Sequence, residues 1–483
     1  MGNAICWFRY DLRVHDNETL VRAADYGPVL PVYCFDPRHY RRLPQGFRKT
    51  DGKRVKFLFE SLLDLRMRLG ALGAGLLVVQ GKPEDVLPEL CARYGVDRIF
   101  AQREITREET DVETAVGARA GAELELVWGR TLYHPNDAPF EPNKAPLTFK
   151  TFRTKLTDAA EVRPVVEPPD RLEPVAPEVD YGNLPSYSEL GFAEAELVHL
   201  ETTAFRGGET AALERLDYYT FQTQLLNNYK FTRNRSLGPD YSSKFSAWMA
   251  VGCLSPREIY WTVKRYEQEV KKNISTWWLI FEMLWRDYFQ WMGLRHGDRI
   301  FFPSGIKNRD VEWQHDPALF DRWCRGETGV PFVDAHLREL RQTGFMSNRG
   351  RVNCASFLSR DYQIDWTWGA AWFESHLLDY DVCSNWLNWN TQATDYYYTN
   401  PLNQGLRYDT GGEYVRTWLP ELAALPGPLV HAPWLAEGGV PEGYPEPAEI
   451  YPKWSRAQTT IRKVADGEPL PKRRSRRRKK TTQ

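Results

Sequence analysis

The sequence lacks the patterns that mark several classes of protein. It contains no run of about 18 apolar residues, which excludes an α-helical membrane span. Its seven cysteines are widely spaced and form no C-x-x-C, which favours reduced thiols over a disulfide framework. The nine histidines form no cluster with metal-ligand spacing, so we expect no metal site. We expect a monomer that does not enter a membrane.

Tryptophan is almost absent from the first 200 residues, where only Trp7 and Trp128 occur. The other sixteen of the 18 tryptophans follow residue 200. This distribution predicts two differently built parts, the second with an interior rich in indole rings.

Acidic residues are missing from 471–483, a segment that carries eight Lys and Arg residues. Removing these eight charges from the formal net charge of −1 leaves −9 for the rest of the chain. Such a run is usually a solvated, disordered tail, but it is also typical of a nuclear address or a nucleic-acid contact. Composition does not separate these alternatives. We expect a cytoplasmic protein, or a nuclear or organellar one if the source is eukaryotic.

Short apolar segments alternate with amphipathic ones in residues 1–132. Strands are predicted at 4–8, 29–35, 75–80, 98–102 and 124–128, and the clearest helical pattern covers 55–72. The alternation predicts an α/β domain with a doubly wound, parallel, five-stranded sheet. No G-x-G-x-x-G follows the first strand, which excludes the common dinucleotide-binding fingerprint.

The second half of the chain has a different pattern. Residues 133–204 are rich in proline and predict an extended connector, with one short helix at 148–156. Helices are then predicted at 209–228, 255–270, 276–294, 332–343, 351–360 and 370–378. We therefore expect an all-α domain over 205–440, followed by a C-terminal extension over 441–470 and a basic tail over 471–483.

Two segments have side chains that suit a nucleotide. Ser242 and Ser243 precede a helical pattern and offer hydroxyl and N–H groups to a pyrophosphate, although an ordinary serine N-cap gives the same pattern. Asp379, Asp381 and Asn385 form a polar cluster that suits nucleotide hydroxyls and a heterocycle. A capped helix with aromatic core residues would have the same sequence.

Two other segments suit nucleic acid. Trp285 lies between Glu282 and Arg286, and an exposed indole at this place would stack on a base. A pair of opposite charges four residues apart is, however, commonly simple helix support. Arg349 and Arg351 lie near the start of a predicted helix and suit phosphates.

Together these segments resemble the photolyase/cryptochrome flavoproteins. The resemblance is carried by 7–13 (WFRYDLR), 241–246 (YSSKFS), 252–257 (GCLSPR), 284–289 (LWRDYF), 343–351 (TGFMSNRGR), 379–381 (DYD) and 384–385 (SN). They occur in order between about residue 4 and residue 440. The pieces YSSKFS and MSNRGR are most similar to the cryptochrome DASH branch.

The resemblance implies an FAD buried in the helical domain. The residues it implies for FAD binding are Tyr229, Arg233, Ser242, Ser243, Lys244, Phe245, Ser246, Arg351, Asp379, Asp381 and Asn385. Arg351 and Asp381 are expected to pair beside the flavin ring, with Asn385 at flavin N5. Glu104 is expected to contact a methenyltetrahydrofolate antenna.

The activity that the resemblance implies is light-driven repair of cyclobutane pyrimidine dimers, mainly in single-stranded DNA, by an electron from reduced FAD. Glu282, Trp285, Asn348 and Arg349 match the substrate side. Trp389, Trp366 and Trp313 match an electron-transfer chain and join Asn385 and Glu282 as the expected catalytic residues. Tryptophans that only fill the core are the structural alternative. The functional alternative is a blue-light signalling flavoprotein with weak or no repair.

The segment 387–399 departs from the family pattern. Leu387 stands in place of a glycine and adds bulk near the flavin, Thr391 in place of an aromatic residue, and Tyr397 in place of an arginine. Losing one stacked ring removes about 1–3 kcal/mol of base binding. Tyr396, Tyr397 and Tyr398 are the candidates for a replacement ring. The expected flavin contacts are complete, whereas one wall of the DNA pocket is altered.

Overall fold

The computed structural model describes residues 2–394 and 398–471. Its first part is a five-stranded sheet in the order β3-β2-β1-β4-β5, and every neighbouring pair is parallel. The strands are β1 (Asn3–Phe8), β2 (Val29–Phe35), β3 (Leu77–Gln80), β4 (Val96–Gln102) and β5 (Glu123–Val127). Because the strand order reverses at β1, the sheet is doubly wound. The predicted α/β fold is confirmed.

Four helices connect the strands of the sheet. They are α1 (Glu18–Tyr26), α2 (Gly52–Leu72), α3 (Pro83–Tyr94) and α4 (Arg107–Arg119). The Asp51 side chain accepts the Lys53 amide at the start of α2, and Gly73 ends this helix with φ +108°. These are ordinary N-cap and C-cap devices. They explain why the helical pattern read from the sequence ends at residue 72.

The connector holds one α-helix, α5 (Phe149–Ala159), and Thr148 is its N-cap. Much of the connector runs along the first part of the chain. Its Glu173 carbonyl accepts the Val29 amide at 2.7 Å, and the Leu172 amide donates to the Leu72 carbonyl at 2.7 Å. The connector is therefore fastened to the sheet and to α2.

The second part consists of helices. They are α6 (Glu209–Asp217), α7 (Tyr229–Thr232), α8 (Ser246–Val251), α9 (Pro256–Glu269), α10 (Ile274–His296), α11 (Pro317–Arg325), α12 (Pro331–Thr343), α13 (Asn348–Arg360), α14 (Trp366–His376), α15 (Val382–Thr394), α16 (Pro401–Tyr408), α17 (Glu413–Trp418) and α18 (Ser455–Ala465). In the described part of the chain, no helix combines the length and apolar character needed to cross a membrane.

The prediction of one continuous helix over 209–228 is wrong. Helix α6 ends at Asp217, a wider turn covers Tyr218–Gln222, and a tight helical turn covers Leu225–Asn228. Gln224 has φ +55°, a left-handed conformation that no α-helix accommodates. The apolar spacing continued through the break, so the pattern did not reveal it.

A buried polar network joins the two parts of the molecule. Arg257 of α9 pairs with Asp16 at 2.6 Å. The Glu209 carboxylate of α6 accepts the Val14 amide at 2.7 Å, and the Arg13 guanidinium donates to the Gly252 carbonyl at 2.9 Å. Since these groups are buried, the network fixes the helical part against the sheet.

Candidate functional site

A cavity of about 730 Å³ lies among α10, α13, α15 and the segment before α8. This volume is within the range of about 300–1,000 Å³ found for ligand pockets. Most of the residues implicated by the sequence line it: Tyr229, Arg233, Ser242, Ser243, Lys244, Phe245, Ser246, Glu282, Trp285, Asn348, Arg351, Asp379, Asp381, Asn385 and Trp389. Segments far apart in the chain therefore meet at one place.

One end of the cavity suits an anion. The Lys244 side chain is buried, and its ammonium lies 3.3 Å from the Tyr241 ring centroid and 4.4 Å from that of Phe345. Among the described residues, no carboxylate lies within ion-pair distance of this ammonium. Burial lowers the pKa of Lys244 to about 7. With the adjacent Ser242 and Ser243, this unpaired cation fits the pyrophosphate of FAD.

The backbone at this end is held in an uncommon conformation. Lys244 has φ +65°, which costs free energy in a residue with a side chain. The Arg215 guanidinium donates to the Ser243 carbonyl at 3.1 Å and to the Ser242 carbonyl at 3.1 Å. Arg215 is in turn paired with Asp240 at 2.9 Å. These bonds keep the segment in the shape that turns Lys244 into the cavity.

Asp379 and Asn385 also line the cavity. Arg351 donates to both Asp379 oxygens, at 2.9 and 2.8 Å. The acidic partner of Arg351 is therefore Asp379, and the expected pair with Asp381 is wrong. The Asn385 amide nitrogen donates to the Ala370 carbonyl at 3.0 Å. This bond orients the amide and leaves its oxygen as the acceptor for a ligand N–H.

Asp381 belongs to a buried charge network. Arg130 lies 3.0 Å away, Arg286 lies 3.7 Å away, and the Gln290 amide donates to the carboxylate at 2.7 Å. Burial alone would raise the pKa of Asp381, but the Arg286 and Arg130 guanidiniums outweigh it and hold that pKa below its usual range. The carboxylate therefore stays charged at the cavity wall.

Glu282 and Trp285, both on α10, line another part of the cavity. The partner of Glu282 is Arg233, at 2.7 Å, so the charge pairing with Arg286 that the spacing suggests does not form. Burial raises the pKa of Glu282, and Arg233 opposes that rise. Trp285 is half-buried, and the Phe149 ring stacks on it at 3.6 Å between centroids and 12° between planes. One face of the indole is thus already covered.

Asn348 and Arg349 are neighbours in the sequence but have different surroundings. Asn348 is exposed and lines the cavity. Arg349 is not among the lining residues, and its guanidinium lies 4.4 Å from the Tyr408 ring and 3.1 Å from the Asn234 amide oxygen. The structure brings Asn348 to the site but places the Arg349 side chain beside it.

The three tryptophans of the expected chain differ in their position and burial. Trp389 lines it, Trp366 is fully buried behind it, and Trp313 is half-buried. The Trp366 and Trp313 indoles both donate to the Pro303 carbonyl, at 2.9 and 3.1 Å. Gly369 of α14 lets this helix approach Trp389, since a Cβ there would lie 2.3 Å from its indole. The structure thus brings Trp389 to the cavity, and the electron-transfer chain stays a prediction.

Glu104 lines neither the 730 Å³ cavity nor a smaller cavity of about 120 Å³ lined mostly by residues of the sheet part. It is buried, and its carboxylate accepts hydrogen bonds from Arg130 and, at 3.1 Å, from Gln102. Burial raises the pKa of Glu104, and Arg130 opposes that rise. The contacts make Glu104 part of the interface between sheet and helices, and the folate antenna stays a prediction.

The altered segment is described in part. Leu387 is buried in the core and is not among the cavity-lining residues, so it does not crowd the site. Thr391 and Gln392 line the cavity. Tyr398 faces away from it, because its hydroxyl accepts the Trp454 indole N–H at 2.9 Å. The other two candidates for a replacement ring, Tyr396 and Tyr397, lie outside the described residues.

Comparison with known proteins agrees with this geometry. Residues 4–173 match the model of the family "DNA photolyase", and residues 278–461 match that of the "FAD binding domain of DNA photolyase". A protein named cryptochrome DASH from Xenopus laevis is 46% identical over 94% of this chain and 90% of its own length. The chain belongs to the photolyase/cryptochrome family. It has this family's FAD-binding domain.

Solved structures of the photolyase/cryptochrome family have the same architecture. The crystal structure of a Synechocystis cryptochrome is 44% identical, with a TM-score of 0.89 over 96% of this chain and 99% of that one. A class III photolyase from Agrobacterium tumefaciens is 26% identical, with a TM-score of 0.83 over 96% of this chain and 98% of that one.

Another relative, compared by sequence, is a cryptochrome DASH from Natronomonas pharaonis, which is 46% identical over 92% of this chain and 98% of its own length. The chain is thus a DASH-like flavoprotein.

Sequence reasoning missed several residues of the site. Arg130 and Gln290 hold Asp381, and Tyr241 covers Lys244. Arg130 is 251 positions from Asp381 in the sequence, so no local motif or spacing could predict that these two residues pair. Gln290 carried a weak signal, because it lies on α10 two turns after Glu282 and thus near the same face.

Proposed function

We propose that this protein is a light-driven lyase that repairs cyclobutane pyrimidine dimers, mainly in single-stranded DNA. One observation carries the proposal. A single cavity places the expected FAD residues beside Glu282, Trp285 and Asn348, the expected substrate residues. A dimer seated against this second group would lie next to the flavin.

The cofactor end of the cavity acts by binding and orientation. Lys244, Ser242 and Ser243 neutralise and hydrogen-bond the pyrophosphate. Asn385 accepts an N–H from the flavin ring, since its own amide nitrogen is bonded to Ala370. FAD, when bound and reduced, would lend the dimer a photoexcited electron, which would return to the flavin once the cyclobutane ring has opened, so that no net electron is consumed.

The substrate end recognises a base that has left its stack. The free face of Trp285 supports the pyrimidine ring, and Glu282 accepts an N–H from its edge, while Arg233 opposes the rise in the Glu282 pKa that burial causes. Asn348 at the exposed rim adds an amide donor and acceptor. Flipping a base costs a few kcal/mol and least in single-stranded or damaged DNA. This favours single-stranded substrates.

Trp389, Trp366 and Trp313 would return the flavin to its reduced state. The first contacts the cavity and the last is accessible to solvent, so an electron donor in solution can refill the chain. The indole N–H bonds to Pro303 hold the two outer rings in place.

A second candidate is a blue-light photoreceptor with weak or no repair. The observation that favours it is Thr391, which lines the cavity where a photolyase-like pocket would have an aromatic side chain. A flavin site without a complete substrate wall would still respond to light.

Illumination of the purified holoprotein with dimer-containing oligonucleotides distinguishes the two candidates. We expect repair of the single-stranded oligonucleotide, and Trp285→Ala should abolish it while flavin absorbance is retained. Trp261→Ala is the control, because Trp261 is exposed on α9 and is not among the cavity-lining residues. A flavin-loaded wild type that repairs neither single- nor double-stranded dimers would favour the photoreceptor.

A further inference from the structure

A row of aromatic rings leads from the cavity to the surface. Trp277, Phe281 and Trp285 follow one another at four-residue intervals on α10 and so lie along one face of this helix. The face from Trp277 to Trp285 spans about 12 Å at 1.5 Å per residue. Phe281 and Trp285 line the cavity, whereas Trp277 is not among its lining residues and is exposed.

Phe149 makes the row continuous. This first residue of α5 contacts Phe281 at 5.2 Å between ring centroids and stacks on Trp285 at 3.6 Å. Trp277 contacts Phe281 at 6.3 Å. We call Trp277, Phe281 and Phe149 the ring row; it ends at the Trp285 platform.

The outer end of the ring row is open to solvent. Trp277 is 40% exposed, and nearby apolar side chains are also exposed: Phe231 at 68% and Ile274 at 49%. Leu147, at the cavity edge beside Phe149, is 57% exposed. Soluble proteins rarely expose a large continuous patch of apolar side chains, and such a patch commonly marks a binding site.

Cations flank the row. The Arg153 guanidinium lies 5.5 Å from the Phe281 ring, and the Lys230 ammonium lies 4.9 Å from the ring of Trp278, which itself contacts Phe281. Lys271 and Lys272 are exposed just before α10 begins. The nearby carboxylate of Glu282 is already paired with Arg233. Rings alternating with cations are complementary to stacked bases and phosphates.

We propose that the ring row is a binding site for the unpaired nucleotides on one side of the lesion in single-stranded DNA. It rests on the proposed function, because the dimer is taken to occupy the cavity at Trp285. At about 3.4 Å per nucleotide, 12 Å accommodates about three nucleotides. Because the row leaves the cavity in one direction, only one flank of the dimer reaches it.

The test compares dimer-containing oligonucleotides by fluorescence anisotropy with the flavin-loaded protein. One is the bare dinucleotide dimer, and the others carry four undamaged nucleotides on the 5′ side or on the 3′ side. We expect one of the two extensions to tighten binding. Trp277→Ala should weaken binding of that oligonucleotide by about five- to 100-fold and leave the dinucleotide unchanged.

Trp261→Ala is the matched control, since Trp261 is also 40% exposed but lies on α9. Equal affinities of Trp277→Ala and Trp261→Ala for the extended oligonucleotide would overturn the inference. So would a shift of the monomer–dimer equilibrium by Trp277→Ala with unchanged DNA binding, which would make the row an interface between copies. Repair of the dinucleotide without any effect of length leaves the proposed function standing and refutes the row. If an extension tightens binding but no dimer is repaired, the ring row is supported and the proposed repair activity is refuted.

Discussion

Lys244 combines burial, a left-handed backbone and the absence of an ion-pair partner among the described residues. Each property alone opposes folding, and together they persist because Arg215 and the surrounding rings hold the segment. Strained backbone conformations of this kind cluster at ligand-binding sites. In the proposed function, Lys244 is therefore already positioned for the FAD pyrophosphate before the cofactor binds.

FAD binding should depend on pH through Lys244. Burial lowers its pKa to about 7, so the free protein loses the positive charge as the pH rises above 7. Phosphate binding restores the charge by taking up a proton, and FAD affinity should therefore fall between pH 7 and pH 9. Lys244→Met should weaken binding by about ten- to 100-fold at pH 6 and flatten this profile.

Titration of the apoprotein with FAD, followed by flavin fluorescence, measures the effect. Lys264→Met is the control, because Lys264 pairs with Glu267 within α9 and is not among the cavity-lining residues. A pH profile that Lys244→Met leaves unchanged would show that another group is responsible.

Thr391 tests the altered wall of the cavity. A ring at this position can stack on the substrate base, so Thr391→Tyr should tighten binding of a single-stranded dimer oligonucleotide by about five- to 100-fold. Thr459→Tyr on the exposed face of α18 serves as the control. Anisotropy titrations in which the two variants bind alike would mean that the wall is complete without a ring at 391.

At the scale of elements, the proposed route for electrons involves α14 and α15. Trp389 on α15 meets the backbone of α14 at Gly369, and Trp366 begins α14. The route depends on the close approach of these two helices, because a side chain at 369 would force them apart.

Photoreduction of the flavin should be much slower in Trp366→Phe than in the wild type, since phenylalanine fills the space but is far harder to oxidise. The measurement is flavin absorbance under blue light with an external reductant. Trp291→Phe, also fully buried, should reduce at the wild-type rate. Comparable rates for both variants would confine Trp366 to a packing role.

The helices and strands were largely predictable, because the spacing of apolar residues that marks a buried strand or an amphipathic helix lies within the element itself. Strand β2 has the predicted bounds, and α2 was predicted except for its first turn. Contacts between distant segments were not predictable from periodicity. The pairing of Arg351 with Asp379, and the turn of Arg349 toward Tyr408, depend on how helices pack. The family resemblance supplied the cavity residues that local pattern alone could not assign.

At the scale of the whole molecule, the cavity depends on the interface between the sheet part and the helices. Arg130, which follows β5, reaches across to Asp381 and also pairs with Glu104. All three side chains are buried. Removing one partner leaves charges without compensation in a region that excludes water.

Arg130→Met should therefore lower the free energy of unfolding by about 3–5 kcal/mol. Its effect should depend on pH. The pKa of Asp381 is held below the ordinary value of 3.8, so the stabilisation is complete above that value and is lost as the pH falls through the folded-state pKa. Denaturant unfolding at pH 7 and pH 3 measures both effects.

Arg22→Met is the matched control, because Arg22 is about half exposed and pairs with Glu18 on the surface. It should change stability by no more than about 1 kcal/mol. If Arg130→Met behaves like this control, the interface is held by its apolar contacts alone.

The basic tail changes the net charge of the whole molecule, from −9 without its eight cations to −1 with them. Its removal should weaken binding to undamaged single-stranded DNA and should reduce the salt dependence, because the remaining chain is acidic. The slope of log K against log salt should fall by no more than about six for eight cations, at about 0.7 per contact. Salt titrations of the full chain and of a chain ending at residue 471 measure it. Identical slopes would exclude the tail from DNA binding.

The Pro303 carbonyl that accepts both Trp366 and Trp313 has a consequence for the timing of electron transfer. Tunnelling rates change exponentially with the gap between donor and acceptor. Two indoles that are hydrogen-bonded to the same oxygen atom share its thermal displacements. The distance between the two rings therefore fluctuates less than the position of either ring. In the proposed electron-transfer chain, the final hop to the surface would then have a nearly uniform rate from one molecule to the next.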